Sequence, residues 1–407
     1  MKFLQSVTSL LLAGCSLACA GPTPGHAAVQ PKHPHKIAPK VFIISMFEPE
    51  AEVWWGIPEF NLLAHNITVP GASPLFPDVY CTADYSVCQL ITGEGEINAA
   101  VTVNAVAFSP LFDLRHTYFF VAGIAGVNPK MATTAGVIFA RYAVQVALQY
   151  EIDIRELPRN YSTGYIPMGS TFPDQYPQNI YGTEVFEVNA DLRSLAVSFA
   201  KKANLSDTAT AKAYRANYAT QDGVFKAATE GPSVVECDVA TSDVYYSGLI
   251  LGDAFDNTTT LLTNGTGKYC ASAQEDNATL EALLRSSARN LTDFSRIIVM
   301  RTASDFDRPY PGVSASYNLF NSAEQDGFTP AIQNLYVAGI QVVEGILAGW
   351  NSTFAAGVKP RNYVGDIFAT LGGTPDFGPG RAEALEGAGA LKKRGMERKM
   401  HSRAKRS

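Results

Sequence analysis

Four acid-bearing segments of this chain stand where apolar runs end, the places at which an open α/β sheet presents side chains to a ligand. The first is Met46-Phe-Glu48-Pro-Glu50-Ala-Glu52, directly after the buried-strand pattern Lys40-Val-Phe-Ile-Ile-Ser-Met46. Glu48 or Glu50, placed at the strand's carboxyl end, could position a water or a hydroxyl. Acids opening a helix would also complement its dipole. The second, Thr92-Gly93-Glu94-Gly95-Glu96-Ile-Asn98, sets two glycines before a small-residue helix whose free N–H groups could meet a polar or anionic ligand. A tight turn packed closely on the sheet accounts for the same residues.

The third segment joins Asp222-Gly-Val-Phe225 to Ser233-Val-Val-Glu236-Cys237-Asp238, a strand ending in two acids around a cysteine. Buried carboxylates need partners, because their desolvation is costly. Vicinal sugar hydroxyls would serve, since one carboxylate accepts two hydrogen bonds; an N-cap to a helix from Val239 is the alternative. The fourth is Arg296-Ile-Ile-Val-Met-Arg301-Thr-Ala-Ser304-Asp305. A protonated Asp305 against a heterocycle could donate to a ring nitrogen and make the ring a better leaving group. A local turn bond ahead of Arg308-Pro309 is the plainer use. Between these lies Tyr118-Phe-Phe-Val-Ala-Gly123-Ile124-Ala-Gly126-Val, where an apolar strand breaks into glycines and backbone can approach a ligand closely.

The elements that must position these groups follow from patterning. Apolar runs predict strands at 40–46, 87–92, 117–123, 135–141, 233–238 and 296–302. Helical spacing predicts helices at 97–108, 190–203, 240–253, 279–289 and 330–349. Their alternation predicts one α/β domain with helices on both faces of the sheet. The Asn-, Thr- and Gly-rich stretch 255–278 reads as a surface insertion.

Residues 1–20 read as a secretory signal: Lys2, a short apolar core, then Ala18-Cys19-Ala20 before Gly21. The Pro-, His- and Gly-rich residues 21–38 read as a disordered leader, 39–378 as the domain, and 379–407 as a basic disordered tail carrying dibasic pairs. Leu335–Trp350 comes nearest to a membrane span, but Gln341 and Glu344 interrupt it, so an amphipathic helix on the sheet is expected. Signal removal would leave a soluble chain, secreted or at the cell surface.

Sequons at Asn66, Asn160, Asn204, Asn257, Asn264, Asn277, Asn290 and Asn351 suit a glycosylated surface. Cys81, Cys88, Cys237 and Cys270 remain after signal removal; they permit two disulfides, with Cys81–Cys88 the local candidate. Their spacing matches no common zinc site, and no metal or cofactor is expected. The net charge of -6, with no basic patch in the body, argues against a nucleic-acid partner.

In this order, the motifs resemble the nucleoside phosphorylase and nucleosidase superfamily. They are Gly93/Gly95 before a small-residue helix, Gly123/Gly126 with Gly136-Val137, Cys237-Asp238 in the place of a Met-Glu pair, and Ser304-Asp305. Over about residues 38–378 the chain most resembles the fungal purine nucleoside permease family. The resemblance implies a three-layer α/β/α domain with a central mixed sheet, and a purine nucleoside as ligand. It implies Asp238 at the ribose hydroxyls, with Glu236 and Cys237 beside it, Asp305 as general acid at the base, Phe225 stacked on the base, and Glu48 or Glu50 in the place of the water-activating glutamate. Gly93, Gly95, Gly123, Ile124 and Ser304 would complete the pocket. The positions of the phosphorylases' phosphate-binding Arg and Ser fall on Val121 and Ile124. Cleavage by water is therefore expected ahead of phosphorolysis. The alternatives are a non-catalytic binding component of nucleoside uptake, working with a membrane partner, and a storage protein. Relatives of this kind commonly assemble, so a homo-oligomer with a neighbouring subunit completing the site is also anticipated.

Overall fold

The computed structural model describes residues 36–378. The signal, nearly all of the leader, and the tail from 379 lie outside them. The fold starts slightly before the expected boundary. The Ile37 N–H donates to Leu111 O at 2.9 Å, and Ile37 O accepts from the Asp113 N–H at 2.8 Å.

In chain order the elements are β1 (Val41–Ser45), α1 (Glu48–Glu52), β2 (His65–Thr68), β3 (Asp78–Cys81), β4 (Val87–Ile91), α2 (Glu96–Ala107), β5 (Tyr118–Val127) and β6 (Val137–Ala140). Next come β7 (Tyr142–Gln145), β8 (Gln149–Glu151), β9 (Tyr165–Pro167), β10 (Val185–Glu187), α3 (Ala190–Ala200), α4 (Ala209–Arg215) and α5 (Lys226–Thr229). The remainder are β11 (Val234–Glu236), β12 (Asp238–Thr241), α6 (Leu249–Leu262), β13 (Tyr269–Ala273), α7 (Asp276–Ser287), β14 (Ile297–Phe306), α8 (Ala315–Phe320), α9 (Phe328–Ala348) and β15 (Gly365–Asp366).

The main sheet runs β15-β10-β7-β12-β13-β5-β1-β4-β3-β2, with β14 pairing β5 and β6, and β11 extending from β6. It is mixed: β1, β4, β5 and β14 are mutually parallel where they pair, while β13 meets β5 antiparallel. The core strands are apolar on both faces because both faces are covered. Along β5, Phe119, Val121 and Val127 pack with Val103 and Val106 of α2 and with Leu280 and Leu283 of α7. Tyr118, Phe120 and Ala122 pack on the other side with Leu192 of α3 and with Leu335 and Ala338 of α9. This is the three-layer α/β/α architecture with a mixed central sheet that was expected.

Among the described residues, α9 is the one helix long and apolar enough to cross a membrane, and half of its apolar window is buried. It lies on the sheet through Leu335, Val342, Val343 and Ile346.

Three expectations are corrected. The predicted strand 233–238 divides at Cys237, where β11 pairs with β6 while β12 pairs with β7 and β13. The helix expected from 240 begins at Leu249, because β12 continues to Thr241 and Gly248, at φ 135°, caps the helix. The stretch 255–278 is no insertion: it holds most of α6, all of the buried strand β13 and the start of α7. Thr258, Thr259 and Thr263 can face inward because their hydroxyls bond back to Ala254 O, Phe255 O and Thr259 O, so a polar composition conceals a packed helix. Asn277 is likewise buried and donates to Thr183 O at 2.8 Å, which removes it from the sequons. The other seven asparagines are exposed. Disulfides join Cys81 to Cys88, as expected, and Cys237 to Cys270.

Candidate functional site

The cleft arises from an interruption in sheet pairing. One edge of β5 is covered throughout by β14. The other is covered by β1 only as far as Val121 and by β13 only from Gly126. Between them, the backbone of Ile124 has no strand partner on that edge. Its N–H donates to Glu50 Oε1 at 2.6 Å, and its carbonyl accepts from Arg301 Nη1 at 3.0 Å. A buried backbone pair must be satisfied, and here two ionisable side chains do it.

Glu50 is held there by α1, which starts at the end of β1. Its second oxygen, Oε2, accepts from the Met46 N–H at 2.7 Å. Burial pushes the carboxyl up to about 8, against the pull of Arg301 and the two N–H donors. Glu48, by contrast, is exposed at the first position of α1 and does not line the cleft. Of the two glutamates left open by the sequence, Glu50 is the one at the site.

Arg301 reaches the gap by crossing over Gly123, its register partner on β5. A Cβ at Gly123 would lie 2.6 Å from Arg301 Nη1 and 2.7 Å from Glu50 Oε1, so only glycine admits both groups. The guanidinium also bonds Asp276 Oδ2 at 2.8 Å and Glu275 Oε2 at 3.3 Å, and Nε reaches Asp276 Oδ1 at 3.3 Å. All three of its nitrogens therefore donate within the protein.

Asp305 stands at the far end of β14. The β5–β14 register shifts between Ala303 and Asp305, leaving Ser304 as an extra residue. Alternation would send adjacent side chains to opposite faces; the bulge lets Ser304 and Asp305 both line the cleft. Ser304 Oγ lies 2.7 Å from Asp305 Oδ1, and Tyr245 Oη lies 3.3 Å from both carboxyl oxygens. Burial raises the pKa of Asp305 and the charge of Asp307 adds to this, while the two hydroxyls oppose it.

The cleft thus gathers Glu50, Ile124, Ser304 and Asp305 of the expected residues, with Gly123 beneath Glu50. It adds Glu94, Tyr245, Glu275, Arg301 and Asp307, which the sequence did not single out. Gly93 and Gly95 turn at φ 81° and 88° ahead of α2, but the N–H groups there are taken. Gly95 N–H donates to Glu275 Oε1 at 3.0 Å, and Glu96 N–H to Asp243 Oδ1 at 2.8 Å, so this helix start holds protein carboxylates in place of a ligand.

The third segment is corrected outright. Asp238 is buried, does not line the cleft, and accepts backbone N–H bonds from Arg141 (3.0 Å), Tyr142 (2.9 Å) and Lys268 (2.7 Å), which tie neighbouring segments together. Cys237 is consumed in its disulfide, and Glu236 is exposed and paired with Arg193 at 3.0 Å. Phe225 is core, edge-on to Tyr218 with ring centroids 5.8 Å apart. The acid pair that does close a strand beside the cleft is Glu275-Asp276, between β13 and α7. Two signals pointed to the missing groups: a charged Arg301 inside an otherwise apolar run, and consecutive acids just before a helix.

The cleft holds about 700 Å³ of empty space, solvent at its mouth included. Among the described residues its lining carboxyls are Glu50, Glu94, Glu275, Asp305 and Asp307, and Arg301 is the one lining cation. Such a wall can supply an acid, a base and hydrogen-bond acceptors to a neutral, hydroxyl-rich ligand.

Comparison with known proteins places the chain. The purine nucleoside permease family profile matches residues 38–359. A purine nucleoside permease of Candida albicans is 48% identical over 347 residues, 84% of this chain and 83% of the relative. A probable purine nucleoside permease of Schizosaccharomyces pombe is 40% identical over 321 residues, 77% of this chain and 90% of the relative. Among solved structures, a 5'-methylthioadenosine/S-adenosylhomocysteine nucleosidase of Neisseria meningitidis aligns at TM-score 0.42 and 14% identity, covering 76% of this chain and 99% of that one. Futalosine hydrolase of Helicobacter pylori aligns at TM-score 0.45 and 13% identity, covering 75% and 97%. The match over most of its length makes this chain a member of the purine nucleoside permease family.

Proposed function

We propose that the protein binds purine nucleosides in the cleft at Ile124 and cleaves their N-ribosidic bond with water. The observation that carries this reading is the coexistence in one cleft of two buried carboxyls with separate surroundings, Glu50 and Asp305. Glu50, ionised, orients a water and takes its proton as the water attacks the anomeric carbon. Asp305, protonated, donates to a ring nitrogen of the departing base, so the bond's electron pair leaves with a neutral heterocycle. The products are ribose and free base. Glu275 is placed to accept from ribose hydroxyls.

Water is favoured over phosphate as nucleophile by the cleft's charge. A phosphate dianion would face the carboxylates of Glu50, Glu94 and Glu275 with only Arg301 opposite them among the described lining residues, and Arg301 is already paired to Glu275 and Asp276. Its desolvation would go uncompensated.

Purified protein incubated with adenosine, inosine and guanosine should release base and ribose at a rate independent of added phosphate. Base formation that requires phosphate, or no base at all, sinks the hydrolytic reading. The family's description as permeases favours a second reading, in which the protein binds nucleoside for uptake alongside a membrane partner. Saturable nucleoside binding with no base released over hours would select it. Both readings place the protein in nucleoside uptake or salvage, delivered through the secretory route that residues 1–20 suggest.

A further inference from the structure

Tyr245 is bound to the acid side of the cleft in an unusual way. Its hydroxyl sits 3.3 Å from each oxygen of Asp305, a long contact on both. Ser304 already holds Oδ1 at 2.7 Å, so among the described hydrogen bonds Oδ2 has the tyrosine alone. The residue is 59% exposed, although its hydroxyl reaches into the cleft. Its neighbours, however, are tied down. Asp243 Oδ1 accepts from the Glu96 N–H, and the Tyr246 hydroxyl bonds that of Tyr269 at 2.8 Å. Beyond them, Ser242 N–H donates to Ala273 O and Gly248 N–H to Asp307 O. Tyr245 is thus a weakly held side chain on an anchored loop, its hydroxyl the described partner of Asp305 Oδ2.

We propose that the Tyr245 hydroxyl is a built-in, weakly held occupant of Asp305 Oδ2, displaced when a purine ring nitrogen binds there. The phenol keeps the buried acid hydrogen-bonded in the empty site, and ligand entry exchanges one bond for another. This rests on the reading above, that Asp305 meets the base. It also makes a distinctive demand: removing the hydroxyl should strengthen binding, whereas removing a group that contacts ligand should weaken it.

The test is calorimetric titration of hypoxanthine into the full chain and its Tyr245→Phe variant, with KM and kcat for inosine alongside. Loss of one competing hydrogen bond should tighten hypoxanthine binding by roughly 3- to 10-fold and lower KM more than it changes kcat. Equal or weaker binding by the variant overturns the proposal while leaving the function intact. If neither protein binds hypoxanthine, the nucleoside reading itself fails, and this inference with it.

Discussion

Asp238 and Asp305 have much in common: each is buried at one end of a strand, and burial raises the pKa of each. Their partners separate them. Asp238 is held by three backbone N–H groups, in or next to the strands β7 and β13. Asp305 is bonded by two side-chain hydroxyls, both of which can rotate away. Asp238, held by main chain away from the cleft, is part of the scaffold, whereas Asp305, held by hydroxyls within it, keeps a site open for exchange. Burial or a raised pKa alone would not tell the two apart.

That contrast is most exposed to test by removing the acids. Asp305→Asn, which keeps the shape but cannot donate a carboxyl proton, should cost roughly 10²- to 10⁴-fold in base release with the thermal midpoint little changed. Glu50→Gln should cost a comparable factor while nucleoside still binds. Asp238→Ala should do the opposite, leaving the buried Tyr142 N–H and two partly buried N–H groups without their partner and costing about 1–3 kcal/mol in denaturant unfolding, with turnover per folded molecule preserved. A catalytic collapse in the folded Asp238 variant would abolish the distinction.

The pH profile sharpens the same comparison. Glu50 must be ionised to act, so its limb of the rate profile should rise as pH climbs through about 8, while burial holds the Asp305 proton above the usual carboxylate range. The rising limb should vanish in Glu50→Gln. The stability sign is the reverse of the rate sign. A carboxyl raised from 4.5 to about 8 binds a proton in the folded state that the unfolded chain has lost. Its contribution is complete below pH 4.5 and disappears as pH climbs through 8.

Smaller effects follow from the glycine and the misplaced aromatic. Gly123→Ala must displace Arg301 or Glu50 and should lower turnover by on the order of 10-fold, with about 1–3 kcal/mol of stability lost. Phe225→Leu should cost about 1 kcal/mol and leave KM unmoved, since its ring packs on Tyr218 and not on a ligand.

The strands and the acids at their ends were legible because parallel core strands are long apolar runs and each break in one is visible. Glu50 and Asp305 came from that signal. Arg301 did not, because its meaning depends on Gly123 standing opposite it in register, a pairing across 178 positions that no local pattern carries. Glu275 and Asp276 were hidden by the threonine-rich α6, whose hydroxyls satisfy themselves on their own helix. Asp238 misled because a strand-end acid looks the same whether its partner is a sugar or the N–H of Tyr142.

The divided edge of β5 also governs when the site can exist. β1 covers one half of that edge, while β13, which covers the other half, and β14, which supplies Arg301 and Asp305, come more than 220 residues later. A chain emerging at about 5–20 residues per second spends many seconds with Glu50 made and none of its charged neighbours present. The contacts that join Glu50 and Arg301 to Ile124 are long-range, which favours slow assembly. No N-terminal fragment ending before Ile297 can hold Glu50, Arg301 and Asp305 together, so the cleft can close only after β14 has emerged.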